Sequence, residues 1–158
     1  YIENYGDIFL PVNKVGTFSR DAAKLMEEAY ASDYQLLNFP AGICSRKIKG
    51  VVTDLPWQKS FIVKAVQHQR DIVPCYFAGR NSSFFYNLAN FRTFIGLKTN
   101  IEMLYLVDEM FRQNGKNIEV FFGEPIPWQT FDKSRKPQEW ADLIREKTYK
   151  LPERFKSS

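Results

Sequence analysis

Apolar positions recur at helical spacing in five stretches of the chain and gather into short continuous runs between them. That alternation predicts a layered α/β domain. Ala22, Leu25, Met26, Ala29 and Tyr30 place an amphipathic helix over 20–32, with Ser19 as its N-cap and Asp21 in its first turn. Trp57, Phe61, Ile62, Ala65 and Val66 do the same over 57–68, with Asp54 as a cap and Pro56 in the first turn. Residues 82–98 and 100–113 read as two further helices or helical turns, the first interrupted by Gly96, and Trp140, Leu143 and Ile144 face inward from a last helix over 137–149. Beyond it, 151–158 reads as a frayed tail. The runs at 7–12, 34–39, 71–78 and 117–122 have strand character.

The order strand, helix, strand with short links implies right-handed crossovers, because parallel neighbours need a connection of about a dozen residues, usually a helix. Two such units in succession predict a mainly parallel sheet flanked by helices. Residues 43–56 read as a loop carrying Arg46, Lys47 and Lys49. Ligands of such sheets sit beyond the carboxyl ends of the strands, which directs attention to the loops after 34–39 and 71–78.

Composition narrows the class. Apolar residues at 44% and charged residues at 25% are enough for a packed core in one domain of 158 residues. The net charge of +4 favours anionic partners. No apolar run reaches the roughly 18 residues a membrane-spanning helix needs. Cys44 and Cys75 are too few for a disulfide framework or a metal cluster, so no metal site is expected, and a reducing compartment fits.

The most distinctive segment is Phe39-Pro40-Ala41-Gly42-Ile43-Cys44-Ser45-Arg46. Pro40 stops a strand ladder, Gly42 permits a close turn, and Arg46 then offers a guanidinium fork to a phosphate or carboxylate. This stretch resembles the third signature block, Phe-Pro-Glu-Gly-Thr-Arg-Ser, of the lysophospholipid (glycerol-phosphate) acyltransferase superfamily. Ile8 to Asn13 lies where that superfamily's second block falls, one helix earlier, and Ile72-Val73-Pro74-Cys75 resembles its fourth. Phrases such as DLPW, FFYNLANFR and YLVDEMF extend the likeness to the hemolysin-like branch, as far as about residue 123. The resemblance implies a glycerol-phosphate acyltransferase-like fold over 1–150. It implies an acceptor site at Asn13, Lys14, Phe39, Pro40, Ala41, Gly42, Ser45 and Arg46, and a structural role for Val73 and Pro74.

The superfamily's general base is the His of a His-x-x-x-x-Asp block that precedes the second block. The single histidine here, His68, follows the third block and reads as an ordinary residue at a helix end. No catalytic residue is therefore assigned within the chain. It begins at Tyr1 and reads as the C-terminal portion of a domain whose N-terminal part, with the base, is missing. Ala41 stands where the family has an acidic residue, and Pro11-Val12-Asn13 replaces an acid–base pair. These departures leave room for an acceptor other than glycerol 3-phosphate or lysophosphatidate, such as an amino-acid lipid acylated on oxygen or nitrogen.

The resemblance further implies acyl carrier protein or coenzyme A thioester as co-substrate, no other cofactor, and a peripheral position on the cytoplasmic face of the cell membrane. Tyr76 to Phe111 is dense in aromatics with Arg80, Arg92 and Lys98 interleaved, which suits an acyl groove, an interfacial face or plain core packing. No nucleic-acid motif accompanies it, so a nucleic-acid partner is not expected. The competing reading is a catalytically silent lipid- or membrane-binding module.

Overall fold

The computed structural model describes residues 20–156. The chain divides into two compact units, Tyr1–Asn38 and Phe39–Ser158. The expected strand at 7–12 lies outside the described residues. In the first unit, helix α1 spans Arg20–Ala31 and buries Ala22. Asp21 sits in the first turn, where a carboxylate meets the positive end of the helix dipole. The run 34–39 forms no strand among the described residues, and Tyr34 and Leu37 are exposed. A strand gains its stability from a paired ladder and a covered face, and among the described residues no ladder pairs with this segment.

In the second unit the helical spacing over 57–68 finds the buried face at Phe61, Ile62 and Ala65, while Val66 is exposed. Helix α2 (Ser60–Gln67) lays Phe61 and Ile62 against Phe131, Ala141 and Ile144. Helix α5 (Pro137–Lys156) supplies the last two. Trp57, Ile72, Ile126, Trp140 and Leu143 close the rim of this core. Burying each such aliphatic side chain contributes about 1.5–3 kcal/mol. His68 ends α2 as its C-cap, its N–H donating to the Lys64 carbonyl. Asp54 is not the cap of α2. Its carboxylate accepts from Ser45 Oγ at 2.5 Å and Trp57 Nε1 at 3.1 Å, and its N–H donates to the Tyr149 hydroxyl.

The expected mainly parallel sheet is replaced, among the described residues, by two antiparallel pairs. Strands β1 (Arg46–Ile48) and β2 (Val51–Thr53) form a hairpin inside the segment read as a loop, with Arg46 opposite Thr53 and Ile48 opposite Val51. Its two-residue turn has positive φ at both Lys49 and Gly50, the geometry whose twist matches that of the flanking strands. Strand β3 (Cys75–Phe77) pairs antiparallel with β4 (Val120–Phe122), and a bridge between Ile72 and Ile126 prolongs the contact. Pairing 71–78 with 117–122 in this sense removes the need for a crossover helix between adjacent parallel strands.

Helix α5 runs on through Lys156, past the predicted end at 149 and into the segment read as a tail. Leu151 is buried, and a side chain at Gly123 would meet its Cδ2 at 3.1 Å, so the glycine lets the last turns of α5 press on β4. The Phe155 and Phe121 rings also meet, with centroids 5.5 Å apart.

Helix α3 (Ser83–Phe94) is capped by Ser82, whose hydroxyl accepts from the Phe85 N–H. A 3-10 turn at Ile101–Tyr105 leads into the short helix α4 (Leu106–Phe111). Buried Glu109 of α4 grips the same cap, its two oxygens accepting from the Ser82 N–H and Ser82 Oγ at 2.5 Å each. A carboxylate on two such donors is worth more than a neutral bond. Glu109→Ala is expected to lower stability by about 2 kcal/mol, read as a lower urea midpoint at unchanged slope. An unmoved midpoint would show that the cap holds without it.

Candidate functional site

The Pro40–Arg46 segment enters the second unit through a β-turn. Gly42 N–H donates to the Phe39 carbonyl at 2.9 Å, with Pro40 and Ala41 at the corners and Gly42 at positive φ. Proline at the second position and glycine at the fourth suit such a turn. The Pro40 carbonyl accepts from the Gln58 N–H, fixing the turn to the start of the α2 region.

From this turn the chain runs directly into β1, and Arg46 is its first residue. Arg46 is buried and is one of the residues lining a cleft. Its side chain is only 9% exposed and passes over the ring of fully buried Phe85, with Cζ 5.7 Å from the centroid. Its Nη1 donates to the Cys44 and Ser45 carbonyls, and its Nη2 donates to Glu102 Oε1 at 2.7 Å. Glu102, in the 3-10 turn, is wholly buried and also meets Arg92 Nε through Oε2 at 3.0 Å. Arg92 comes from the last turn of α3, and its Nη1 donates to the Leu97 carbonyl at 2.8 Å. Two guanidiniums thus share one carboxylate.

A cleft of about 580 Å³ opens above them. Ile43, Ile48, Leu55 and Phe94 line it with apolar groups, and Arg46, Lys47, Asn90 and Arg92 with polar ones. Asn90 Nδ2 donates to the Lys47 carbonyl, tying α3 to β1 across the cleft. Apolar walls with a few convergent polar groups are what a small amphipathic ligand requires.

The other residues expected at the site are dispersed. Asn13 and Lys14 lie outside the described residues. Phe39 is exposed, and Phe39, Pro40, Ala41 and Gly42 shape the entry turn without lining the cleft. Ser45 is committed to Asp54. Pro74 is buried and its carbonyl accepts from the Gly123 N–H at 2.8 Å, while Val73 is exposed. Glu102 was missed by sequence reasoning, although one signal was present: a lone acid inside the apolar run Ile101–Val107. Among the described residues no cluster of His, Cys, Asp and Glu could hold a metal.

A second cleft of about 260 Å³ lies at the N-terminal end of α3, lined by Arg80, Ser82, Glu109, Arg112 and Lys116 among others. Beside it, burial raises the Tyr86 hydroxyl above its usual pKa, and the Asn81 N–H donates to it.

A cleft lined by Ile43, Ile48, Leu55 and Phe94 together with Arg46 and Arg92 has the chemistry to accommodate an amphipathic anion. The chain belongs to the acyltransferase family, whose sequence profile matches residues 1–157. It is 53% identical over 142 residues to a lyso-glycine lipid O-acyltransferase of Bacteroides thetaiotaomicron, covering 90% of this chain and 52% of that protein. It is 49% identical over 142 residues to a lyso-glycine lipid O-acyltransferase of Phocaeicola vulgatus, covering 90% of this chain and 51% of that protein. The chain therefore spans about half the length of the curated relatives it matches. No solved structure matches it.

Proposed function

We infer that the chain forms the acceptor-binding portion of an enzyme that moves a fatty acyl group from an acyl-carrier-protein or coenzyme A thioester to the hydroxyl of a lyso-glycine lipid. The carrying observation is the relatedness to two proteins of that name over 90% of the chain. The cleft supports it, since an acceptor with an alkyl chain and an anionic head suits a lining of apolar groups together with Arg46 and Arg92.

The reaction requires the acceptor hydroxyl to lose its proton as its oxygen attacks the thioester carbonyl. A tetrahedral oxyanion forms, the C–S bond then breaks, and the thiolate leaves and is protonated. A neutral imidazole near its own pKa suits the first proton transfer. The cleft lining offers guanidinium, ammonium, amide and hydroxyl groups but no imidazole or carboxylate. A base of that kind is not among the residues that line the cleft. The same observation favours a second reading, a silent lipid-binding module. One assay separates them. The protein with the segment that precedes these residues is incubated with each thioester and a lyso-glycine lipid. O-acylated product that disappears on replacing one upstream histidine is expected, and no product with either donor would leave the silent module.

A surface run supports a peripheral place on the inner face of the cell membrane. Phe91, Phe94, Ile95, Leu104, Val107 and Phe111 are all exposed on α3, α4 and the turn between them, with Lys98 exposed beside them. Large exposed apolar patches mark interaction surfaces, and cations at their edge meet anionic headgroups. Among the described residues no helix is long and apolar enough to cross a membrane. The double variant Phe94→Asp, Phe111→Asp is expected to pellet several-fold less with anionic vesicles. Unchanged pelleting would move the membrane face elsewhere.

A further inference from the structure

We propose that Glu102 ties Arg46 and Arg92 into one monocationic receptor, and that this receptor selects a lipid whose head is a carboxylate over one whose head is a phosphate monoester. The inference rests on the functional reading only for the lipid nature of the ligand. Glu102 acts as a positioning residue, and the two arginines are the groups that touch the ligand.

Charge is the first argument. The side chains of Arg46, Arg92 and Glu102 are 9%, 13% and 0% exposed. Two guanidiniums and one carboxylate leave a net charge of +1 in a buried cluster. An uncompensated charge held away from water is costly, so the cluster favours a single incoming negative charge. A carboxylate supplies one. A phosphate monoester near pH 8 carries close to two and would leave a buried surplus of the opposite sign. Lys47 also lines the cleft, but it is half-buried and its charge is better screened by water.

The donor inventory is the second argument. A guanidinium has five N–H donors in a rigid fork. Arg46 spends Nη1 on the Cys44 and Ser45 carbonyls and one Nη2 proton on Glu102. Arg92 spends Nη1 on the Leu97 carbonyl. Arg46 Nε and Arg92 Nη2 take part in none of these bonds. Arg92 Nε and Glu102 Oε2 are buried and, though 3.0 Å apart, do not meet hydrogen-bond geometry. The arginines are held by Glu102 and by main-chain carbonyls, and each keeps donor capacity in hand while lining the cleft.

The neighbourhood is the third argument. Both arginines line a cleft that Ile43, Ile48, Leu55 and Phe94 also line, so apolar surface for an alkyl chain lies in the same cleft as the groups that would hold the head. The face of Phe85 under Arg46 fixes one guanidinium by a cation–π contact without consuming its donors.

The test is a binding series on the full chain at pH 8, by calorimetry, with ligands below their micelle concentrations. The ligands are N-dodecanoylglycine, its neutral primary amide, and dodecyl phosphate. The carboxylate is expected to bind about tenfold more tightly than the amide, because its bonds to arginine are charge-assisted. It is also expected to bind more tightly than the phosphate. Glu102→Gln raises the buried charge from +1 to +2 and is expected to shift the phosphate-to-carboxylate affinity ratio about tenfold toward phosphate. A purely structural Glu102 would weaken both ligands together and leave that ratio unmoved, which overturns the proposal. Equal binding of acid and amide by the unaltered chain also overturns it, whether or not the variant folds. Because the series needs neither thioester nor base, acyl transfer can fail while the selectivity holds. Transfer with no selectivity sinks the receptor alone.

Discussion

Glu102→Ala is expected to lower the unfolding free energy by about 3–5 kcal/mol. The carboxylate is wholly buried and faces two guanidiniums at 2.7 and 3.0 Å. A buried ion cluster contributes little over an apolar replacement of the whole cluster, because desolvation cancels most of the attraction. Removing one partner is different, because the desolvation penalty stays and the compensation goes. Here the residue removed is the only negative member, so two like charges would remain in a space that had held one net charge. Glu102→Gln keeps the volume and one acceptor, so it is expected to cost less, about 1–3 kcal/mol. Urea unfolding followed by tryptophan fluorescence reads both variants. Glu146→Ala is the control, since its partner Lys150 and Glu146 itself are exposed on α5, and its curve is expected to overlay the parent. A Glu102→Ala midpoint that also overlays the parent would mean that water or a counter-ion reaches the cluster freely.

The helices were legible because their signal is local. The apolar spacing in α1, α2, α3 and α5 marks a helix; in α2 and α5 that face is buried or half-buried apart from Val66, whereas Leu25 of α1 and Phe91 and Phe94 of α3 are exposed. The strands were not legible, because a strand of three residues is defined by its partner. The run 34–39 has strand composition and forms no strand, whereas 46–53 is basic, reads as a loop, and is a hairpin. Its turn is Lys49-Gly50, and lysine is not among the residues that advertise positive φ. The link between β3 and β4 is a long-range pairing across α3 and α4, which periodicity cannot see. The site divides in the same way. Arg46 was legible from the Pro-Gly turn that precedes it. Glu102 was not, because an acid in a helical run is read by default as facing solvent, and its burial depends on arginines 10 and 56 positions earlier in the chain.

Arg46→Ala is expected to raise the Michaelis constant for the lipid acceptor about 10–100-fold in the active protein, with the constant for the thioester unchanged. The loss of one charge-assisted contact accounts for about 1.5–3 kcal/mol, and 1.4 kcal/mol is a factor of ten. The variant removes a receptor charge while leaving Glu102 and Arg92 as a matched pair, so the buried cluster becomes neutral. For that reason its stability is expected to suffer less than that of Glu102→Ala, and a thermal melt verifies that the kinetic change is not a loss of fold. Arg46→Lys sharpens the result. Lysine keeps the charge but is a point donor without the planar fork, and it cannot serve Glu102, the Cys44 and Ser45 carbonyls and a ligand together. It is therefore expected to recover only part of the acceptor affinity. Should the acceptor constant of Arg46→Ala stay within twofold of the parent, Arg46 is a structural member of the buried cluster, and the head of the acceptor is held elsewhere.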